Sequence, residues 1–104
     1  MTHKVESKAE LVVGNLSYLY FKNPQELWQS DTPDEQHEDI LAQSKRNEKD
    51  ISVAGGITVQ KAGRIIVDGF GSQSLGFPEN PSQPIVELIK TLNGIKPENI
   101  TTVG

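Results

Sequence analysis

The chain has 104 residues, a net charge of −4, 35% hydrophobic residues and no cysteine. This length fits one domain, and the lack of cysteine excludes disulfides, a thiolate nucleophile and cysteine-ligated zinc. No apolar run reaches the roughly 20 residues of a membrane span, and no apolar segment typical of a secretory signal follows the first residues. We therefore expect a small, acidic, cytoplasmic domain.

The first apolar segment, residues 9–21, is rich in β-branched, aromatic and aliphatic side chains and is interrupted by Gly14-Asn15. Gly-Asn is a two-residue hairpin signal because glycine adopts positive φ without strain. The pattern predicts a hairpin between residues 8–13 and 16–22. One long strand with a bulge is the alternative.

Two helix-start signals follow, each with a proline in the first turn and a glutamate that can reach back to the cap. The first, at residues 23–26, predicts a short helical turn that carries Leu27 and Trp28. The second, at residues 32–35, predicts a longer helix to about Asn47, with its acids early and its bases late, as the helix dipole favours. This helix contains few apolar residues, so most of its surface is expected to face water.

Residues 51–70 are predicted to form strands, because apolar side chains alternate with polar ones. The segment 61–63 suits a three-residue hairpin loop with Gly63 in the left-handed conformation. Gly55-Gly56 indicates either a second turn or a bulge. The glycine-rich residues 69–79 are expected to form an exposed, mobile loop.

The clearest helical pattern lies at residues 81–93, after a third capping signal at residues 80–83. Its apolar side chains recur at i, i+3, i+4 and i+7, which predicts a buried stripe that anchors the core; they are Ile85, Leu88, Ile89 and Leu92. Gly94 is expected to end the helix in the left-handed conformation. Residues 100–103 are expected to form a short last strand.

These elements predict an α+β fold, with an antiparallel sheet of four to five strands and two helices on one face. Residues 1–8 are expected to be a loose polar tail before a single domain over residues 9–104. If residues 9–21 form one strand and Gly55-Gly56 is a bulge, the order becomes βαββαβ, the ferredoxin-like arrangement. That fold hosts many unrelated activities, so it does not specify a function.

Residue types suited to catalysis or metal binding are sparse. His37 shares a helix face with Asp34 and Glu38, a spacing that could hold a metal or an acid–base pair. The favoured interpretation is a solvated helix start whose acids complement the dipole. His3 lies in the predicted tail, and no nucleophile motif is present. We therefore expect a protein without catalysis, metal or cofactor.

The glycine-rich loop is the main candidate for a small-ligand site. Phosphate-cradling loops place a helix N-terminus directly after the glycines, and P-loops also require a lysine, whereas here several residues and no lysine intervene. A flexible loop is the favoured interpretation, and a ligand-gripping loop is the alternative. The residues concerned are Gly69, Phe70, Gly71, Gly76 and Phe77.

The other candidate is a protein-interaction surface made of strand aromatics and acidic side chains. Six carboxylates and no lysine or arginine lie between Glu26 and Asp39, which favours a basic partner and disfavours nucleic acid and anionic membranes. Aromatics are enriched at interfaces, although core packing is the more common role of strand aromatics. The candidate residues are Tyr18, Tyr20, Trp28, Asp34, Glu35, Glu38 and Asp39.

The leading hypothesis is a small non-catalytic accessory protein that acts through protein–protein binding. Because residues 18–21 are apolar on both strand faces, one face must be covered by a helix or by another chain, and a homodimer is part of this hypothesis. The alternative is a small-ligand sensing domain with its site under the 69–79 loop.

Overall fold

The computed structural model describes residues 1–79 and 83–103. This part of the chain contains one six-stranded sheet and two helices, so the fold is α+β. The strands, in sheet order, are β1 (Thr2–Val5), β3 (Glu26–Ser30), β2 (Gly14–Phe21), β4 (Ile51–Val59), β5 (Ile65–Asp68) and β6 (Ile100–Val103). All neighbouring strands are antiparallel except β5 and β6, which are parallel. The sheet is therefore mixed and larger than predicted.

The two helices are α1 (His37–Ser44) and α2 (Gln83–Thr91). They cover opposite faces of the sheet, which corrects the prediction of two helices on one face. Tyr18 of β2 packs in one core cluster with Ile89 of α2, whereas Phe21 of β2 packs in a second cluster with Ile40 of α1. The physical reason is that β2 is apolar on both of its faces, so each face has to be covered by another element of the fold.

The chain before β2 differs from the prediction in two ways. The predicted hairpin is wrong, because Gly14 begins a single continuous strand and residues 8–10 form a short 3-10 turn. Residues 2–5, expected to belong to a loose tail, form the edge strand β1, in which Val5 is buried opposite Leu27. The partner that orders β1 lies more than 20 positions away along the chain, so no local pattern reveals it.

The predicted helical turn at residues 23–26 is also wrong, because Glu26–Ser30 form β3. Leu27 pairs with Tyr20 across the hairpin and is buried on the α2 side, while Trp28 packs on the α1 side. Pairing with both β1 and β2 satisfies this backbone better than one helical turn could, so tertiary context overrides the local capping signal. Three strands thus precede α1, and the βαββαβ order is not confirmed.

Helix α1 is shorter than the predicted helix of residues 32–47. It begins after Gln36, whose backbone N–H donates to Asp39 Oδ2 at 2.8 Å, so the cap lies four residues later than predicted. It ends at Lys45, which adopts a left-handed φ of 58°. Ile40 is its buried residue, and the other residues of the helix are exposed or partly exposed, as expected for a helix with few apolar side chains.

Strand β4 passes through Gly55-Gly56 without a turn or a bulge at the glycines, which pair with Tyr18 and Ser17 of β2. The register shift between these strands lies nearer the start of β4, where Tyr20 pairs with Val53 and Phe21 with Ile51. The glycines make room for Asp68, whose Oδ1 accepts the Gly56 N–H at 2.9 Å. A Cβ on Gly55 would lie 2.6 Å from that same oxygen. Close approach of Asp68, through both its backbone carbonyl and its carboxylate, explains the glycine pair, and no change of chain direction occurs there.

The hairpin between β4 and β5 is confirmed, with Gly63 at a φ of +98° and its N–H bonded to the Gln60 carbonyl at 2.9 Å. The last strand is also confirmed, as β6. The predicted capping signal at residues 80–83 lies mostly outside the described residues. Gly94 follows α2 with a φ of +88°, as expected.

The apolar stripe of α2 is buried except at one position. Ile85 and Ile89 are fully buried and Leu92 is nearly so, whereas Leu88 is only partly buried. Val86, outside the predicted stripe, is buried instead. The core therefore receives the side of α2 that carries Ile85, Val86 and Ile89, and the expectation that Leu88 is an anchor is wrong.

Candidate interaction surfaces

The two tyrosines of the predicted interaction surface lie in the core. Tyr18 is fully buried and donates its hydroxyl hydrogen to the Asp68 carbonyl at 2.5 Å. Burial, helped by the nearby Asp68 charge, raises the pKa of Tyr18 far above its ordinary value. Tyr20 is buried on the same face, and burial raises its pKa as well. Their role is packing, which the sequence favours for strand aromatics.

Trp28 is separated from the tyrosines, because it packs on the α1 face of the sheet. It is half-buried, and its indole N–H donates to Glu26 Oε1 at 3.3 Å. The same carboxylate accepts from Arg46 at 2.6 Å, and the Arg46 guanidinium lies 4.7 Å from the centre of the Phe21 ring. The structure therefore does not bring the three predicted aromatics together.

Arg46 connects the β2–β3 turn to the segment after α1 through hydrogen bonds. Besides Glu26, its guanidinium donates to the Lys22 carbonyl at 2.8 Å and to the Pro24 carbonyl at 3.2 Å. Burial alone would raise the pKa of Glu26, but the hydrogen bonds and charge of Arg46 outweigh it and hold this pKa below its ordinary range. Neither residue is free to serve a partner.

The four predicted acidic residues divide into two pairs. Asp39 caps α1, and Glu35 accepts a hydrogen bond from the Asp31 N–H at 3.0 Å, so these two carboxylates support the fold. Asp34 and Glu38 are exposed, and their carboxylates make no hydrogen bond or ion pair with any of the described residues. These two carboxylates are thus the ones that remain available to a binding partner.

Both histidines make hydrogen bonds that connect distant parts of the chain. His37 contacts the Gly55 carbonyl through Nε2 at 2.9 Å and thereby links α1 to β4. His3 contacts Asp31 Oδ1 and the Glu10 carbonyl, both at 2.6 Å. No group of three or more metal-ligating side chains occurs within residues 1–79 and 83–103.

The glycine-rich loop closes on itself. Ser72 and Phe77 exchange both backbone hydrogen bonds, at 3.0 and 2.8 Å. Gly71 is buried with a φ of +83°, and a Cβ there would lie 2.6 Å from the Pro78 carbonyl oxygen. Gly76, with a φ of +66°, completes the turn.

The apolar side chains of this loop have different surroundings. Phe77 packs against the α1-side core, whereas Phe70 is 54% exposed. Gly69 is buried before the turn. The loop is therefore anchored to the core through Leu75 and Phe77, whereas Phe70 is left in solvent.

Cavities large enough for a small molecule lie away from this loop. One of about 310 Å³ and a neighbouring one of about 340 Å³ flank Leu88 on α2 and share Gln25 and Thr91 in their linings. A third, of about 190 Å³, lies beside Leu11 and Val13. The loop residues named in the ligand-site alternative line none of these three.

The net charge is divided between the two halves of the sheet. Residues 1–50 contain ten acidic and six basic residues, a difference of −4, and residues 51–104 contain four of each, a difference of 0. The first half supplies β1, β3, β2 and α1, and the second supplies β4, β5, α2 and β6. Because the sheet order is β1-β3-β2-β4-β5-β6, the boundary falls at the middle of the sheet.

The two edges of the sheet differ in protection. On β1, the side chain of Gln43 accepts the Thr2 N–H at 2.7 Å, and Lys4 places a charge on the strand. On β6, all four residues are β-branched and uncharged. Lysine and side-chain cover are ordinary means of blocking an edge, and within residues 1–79 and 83–103 these features occur on β1 and not on β6.

The β6 edge is a candidate surface that is not among those predicted from the sequence. The available signal was the uncharged run at residues 100–103 in a strand predicted to be the last. Its meaning depends on the topology, because the same run in a central strand would be covered.

Any statement about function rests on the fold and on the surfaces described above. No protein-family model matches the chain, and neither a curated protein nor a solved structure is significantly similar to it. The helices within the described residues are too short to cross a membrane.

Proposed function

We propose that this protein is a small non-catalytic accessory protein that binds a basic protein partner through its acidic half. The observation that carries the proposal is the segregation of charge, since the whole net charge of −4 belongs to the half of the sheet built by residues 1–50. A surface of one sign attracts an oppositely charged partner and raises the rate of association.

The exposed carboxylates on and before α1 are the part of this half that best suits a partner. Asp34 and Glu38 face solvent and form no ion pair with the described residues, unlike Glu26, which Arg46 neutralises. At an ionic strength of 0.1 M, such charges act over a distance of about 10 Å. The proposed attraction is therefore short-ranged and sensitive to salt.

The hydrogen bonds of His3 favour a structural role over catalysis. A catalytic histidine needs a ring nitrogen free to exchange a proton with substrate. His3 uses both ring nitrogens, for Asp31 Oδ1 and for the Glu10 carbonyl. His37 uses Nε2 for the Gly55 carbonyl, a contact that holds α1 against β4.

The proposal is tested by capture from the source cell with quantitative mass spectrometry. The bait is the unaltered protein or the double variant Asp34→Asn with Glu38→Gln, which removes two exposed negative charges from the acidic half. The matched control is Glu79→Gln with Glu98→Gln, which makes the same change of net charge in the neutral half. Each bait is washed at low and high salt.

We expect a basic protein that the unaltered bait and the control retain at low salt, and that the α1 variant loses. With the purified partner, the association rate constant should fall with added salt and in the α1 variant, while the control stays close to the unaltered protein. If every captured protein is retained equally by both variants at both salt concentrations, the acidic half is only a solubilising surface and the proposal fails.

A further inference from the structure

The outer edge of β6 is the exposed sheet edge whose chemistry suits strand pairing. Within the described residues, β6 is the last strand of the sheet order and pairs only with β5. Its residues are Ile100, Thr101, Thr102 and Val103, and the last three are exposed. β-Branched side chains favour strand conformation, and the row of backbone groups on an unprotected edge can accept another strand.

We propose that β6 pairs with β6 of a second copy of this chain, antiparallel about a two-fold axis, and so joins two sheets into one. A closed two-fold dimer requires this antiparallel arrangement. Because the two-fold axis stands perpendicular to the sheet and keeps every side chain on its own face, a residue of β6 must lie opposite its own copy; an axis at Thr102 places Thr102 opposite Thr102 of the second copy and Thr101 opposite Val103 of the second copy. These cross-strand pairs are of types that stabilise a sheet.

The distribution of charge favours a second copy at β6 and opposes one at β1. Two copies joined at β6 meet through their neutral halves, and their acidic halves lie at the far ends of the combined sheet. Two copies joined at β1 would meet through halves of charge −4 and would place charged strands side by side. Like charges directly opposite one another destabilise strand pairing.

Phe70 extends the apolar surface next to this edge. Val103 lies beside Asp68 in the β5–β6 register, and Phe70 follows Asp68 by two residues. Phe70 is 54% exposed and Val103 is 43% exposed; among the described residues, these are two of the four large apolar side chains that face solvent. A second copy paired at β6 would cover Val103, which lies in the pairing strand.

The test is sedimentation equilibrium of the full chain from low micromolar to near-millimolar concentration. The variants are Thr101→Lys with Thr102→Lys, and Thr101→Glu with Thr102→Glu, each placing like charges opposite one another in the proposed dimer. We expect the unaltered protein to dimerise and each variant alone to associate about tenfold more weakly or worse. An equimolar mixture of the two variants should recover the dimer, because opposite charges then face each other.

The control is Thr32→Lys with Ala42→Lys, two exposed positions in the acidic half that receive the same added charge. It should dimerise as the unaltered protein does. A monomer at all concentrations, a dimer that persists in the lysine variant, or a mixture that stays monomeric would each overturn the inference. The basic-partner proposal is tested at α1 by different variants, so either proposal can fail while the other stands.

Discussion

Replacing Ile89 with alanine is expected to remove a large part of the stability of this domain. Ile89 is fully buried in the core cluster on the α2 face of the sheet. The change deletes three carbon atoms, worth about 2.4 kcal/mol at about 0.8 kcal/mol per buried methylene. The cavity left behind adds to this cost, and measured isoleucine-to-alanine losses are about 2–5 kcal/mol. We therefore expect a loss of about 3–4 kcal/mol in the free energy of unfolding.

Leu88, the neighbouring residue of α2, provides the matched control. It is only partly buried and lines the two cavities between α2 and the β2–β3 side of the sheet. Leu88→Ala should therefore cost clearly less than Ile89→Ala, about 1 kcal/mol, because part of the side chain already contacts solvent. Urea unfolding of both variants measures the difference. Equal midpoints, or a lower midpoint for Leu88→Ala, would refute the orientation of α2 described above.

Three further predictions concern the contacts that join distant segments. Arg46→Lys should lower the free energy of unfolding by about 1–3 kcal/mol, because an ammonium cannot reproduce the guanidinium's bonds to Glu26 and two carbonyls; a urea midpoint equal to the parent's would contradict this. Gly55→Ala should cost about 1–3 kcal/mol through overlap with Asp68, measured by thermal unfolding, and an unchanged midpoint would show that the strands can separate freely. Folding lowers the pKa of Glu26 below its ordinary value of 4.5. The ionised carboxylate therefore contributes fully to the free energy of unfolding above pH 4.5, and this contribution is lost as the pH falls through the pKa of the folded state. The free energy of unfolding, measured by urea titration, should accordingly fall less between neutral and acidic pH in Glu26→Gln than in the parent. If the two proteins give parallel curves of this free energy against pH, the Glu26 carboxylate is not coupled to folding.

The elements that the sequence predicts correctly depend on local patterns. The apolar period identifies α2 within residues 81–93, and Gly63 identifies the β4–β5 hairpin. Both signals are complete within a few residues, because helix periodicity and positive φ are properties of short segments. The pattern did not fix the orientation of α2, since the choice between Leu88 and Val86 as a buried residue depends on the shape of the sheet beneath.

The elements that the sequence mispredicts depend on partners far away in the chain. β1 is ordered by β3, and β3 lies between β1 and β2, so the turn signal at residues 23–26 loses to strand pairing on both sides. Gly55-Gly56 has the composition of a turn, but it serves the close approach of Asp68, which the sequence places more than ten positions later.

The candidate surfaces also depend partly on local sequence and partly on contacts between distant residues. The sequence alone determines that the charge lies in residues 1–50, that residues 51–104 are neutral, and that residues 100–103 are an uncharged β-branched run. Only the tertiary structure decides that these halves are the two halves of one sheet, that Tyr18 and Tyr20 are buried, and that β6 lies at an exposed edge. The physical reason is that composition and charge are properties of the chain itself, whereas burial and edges are created by strand pairing between residues far apart in sequence.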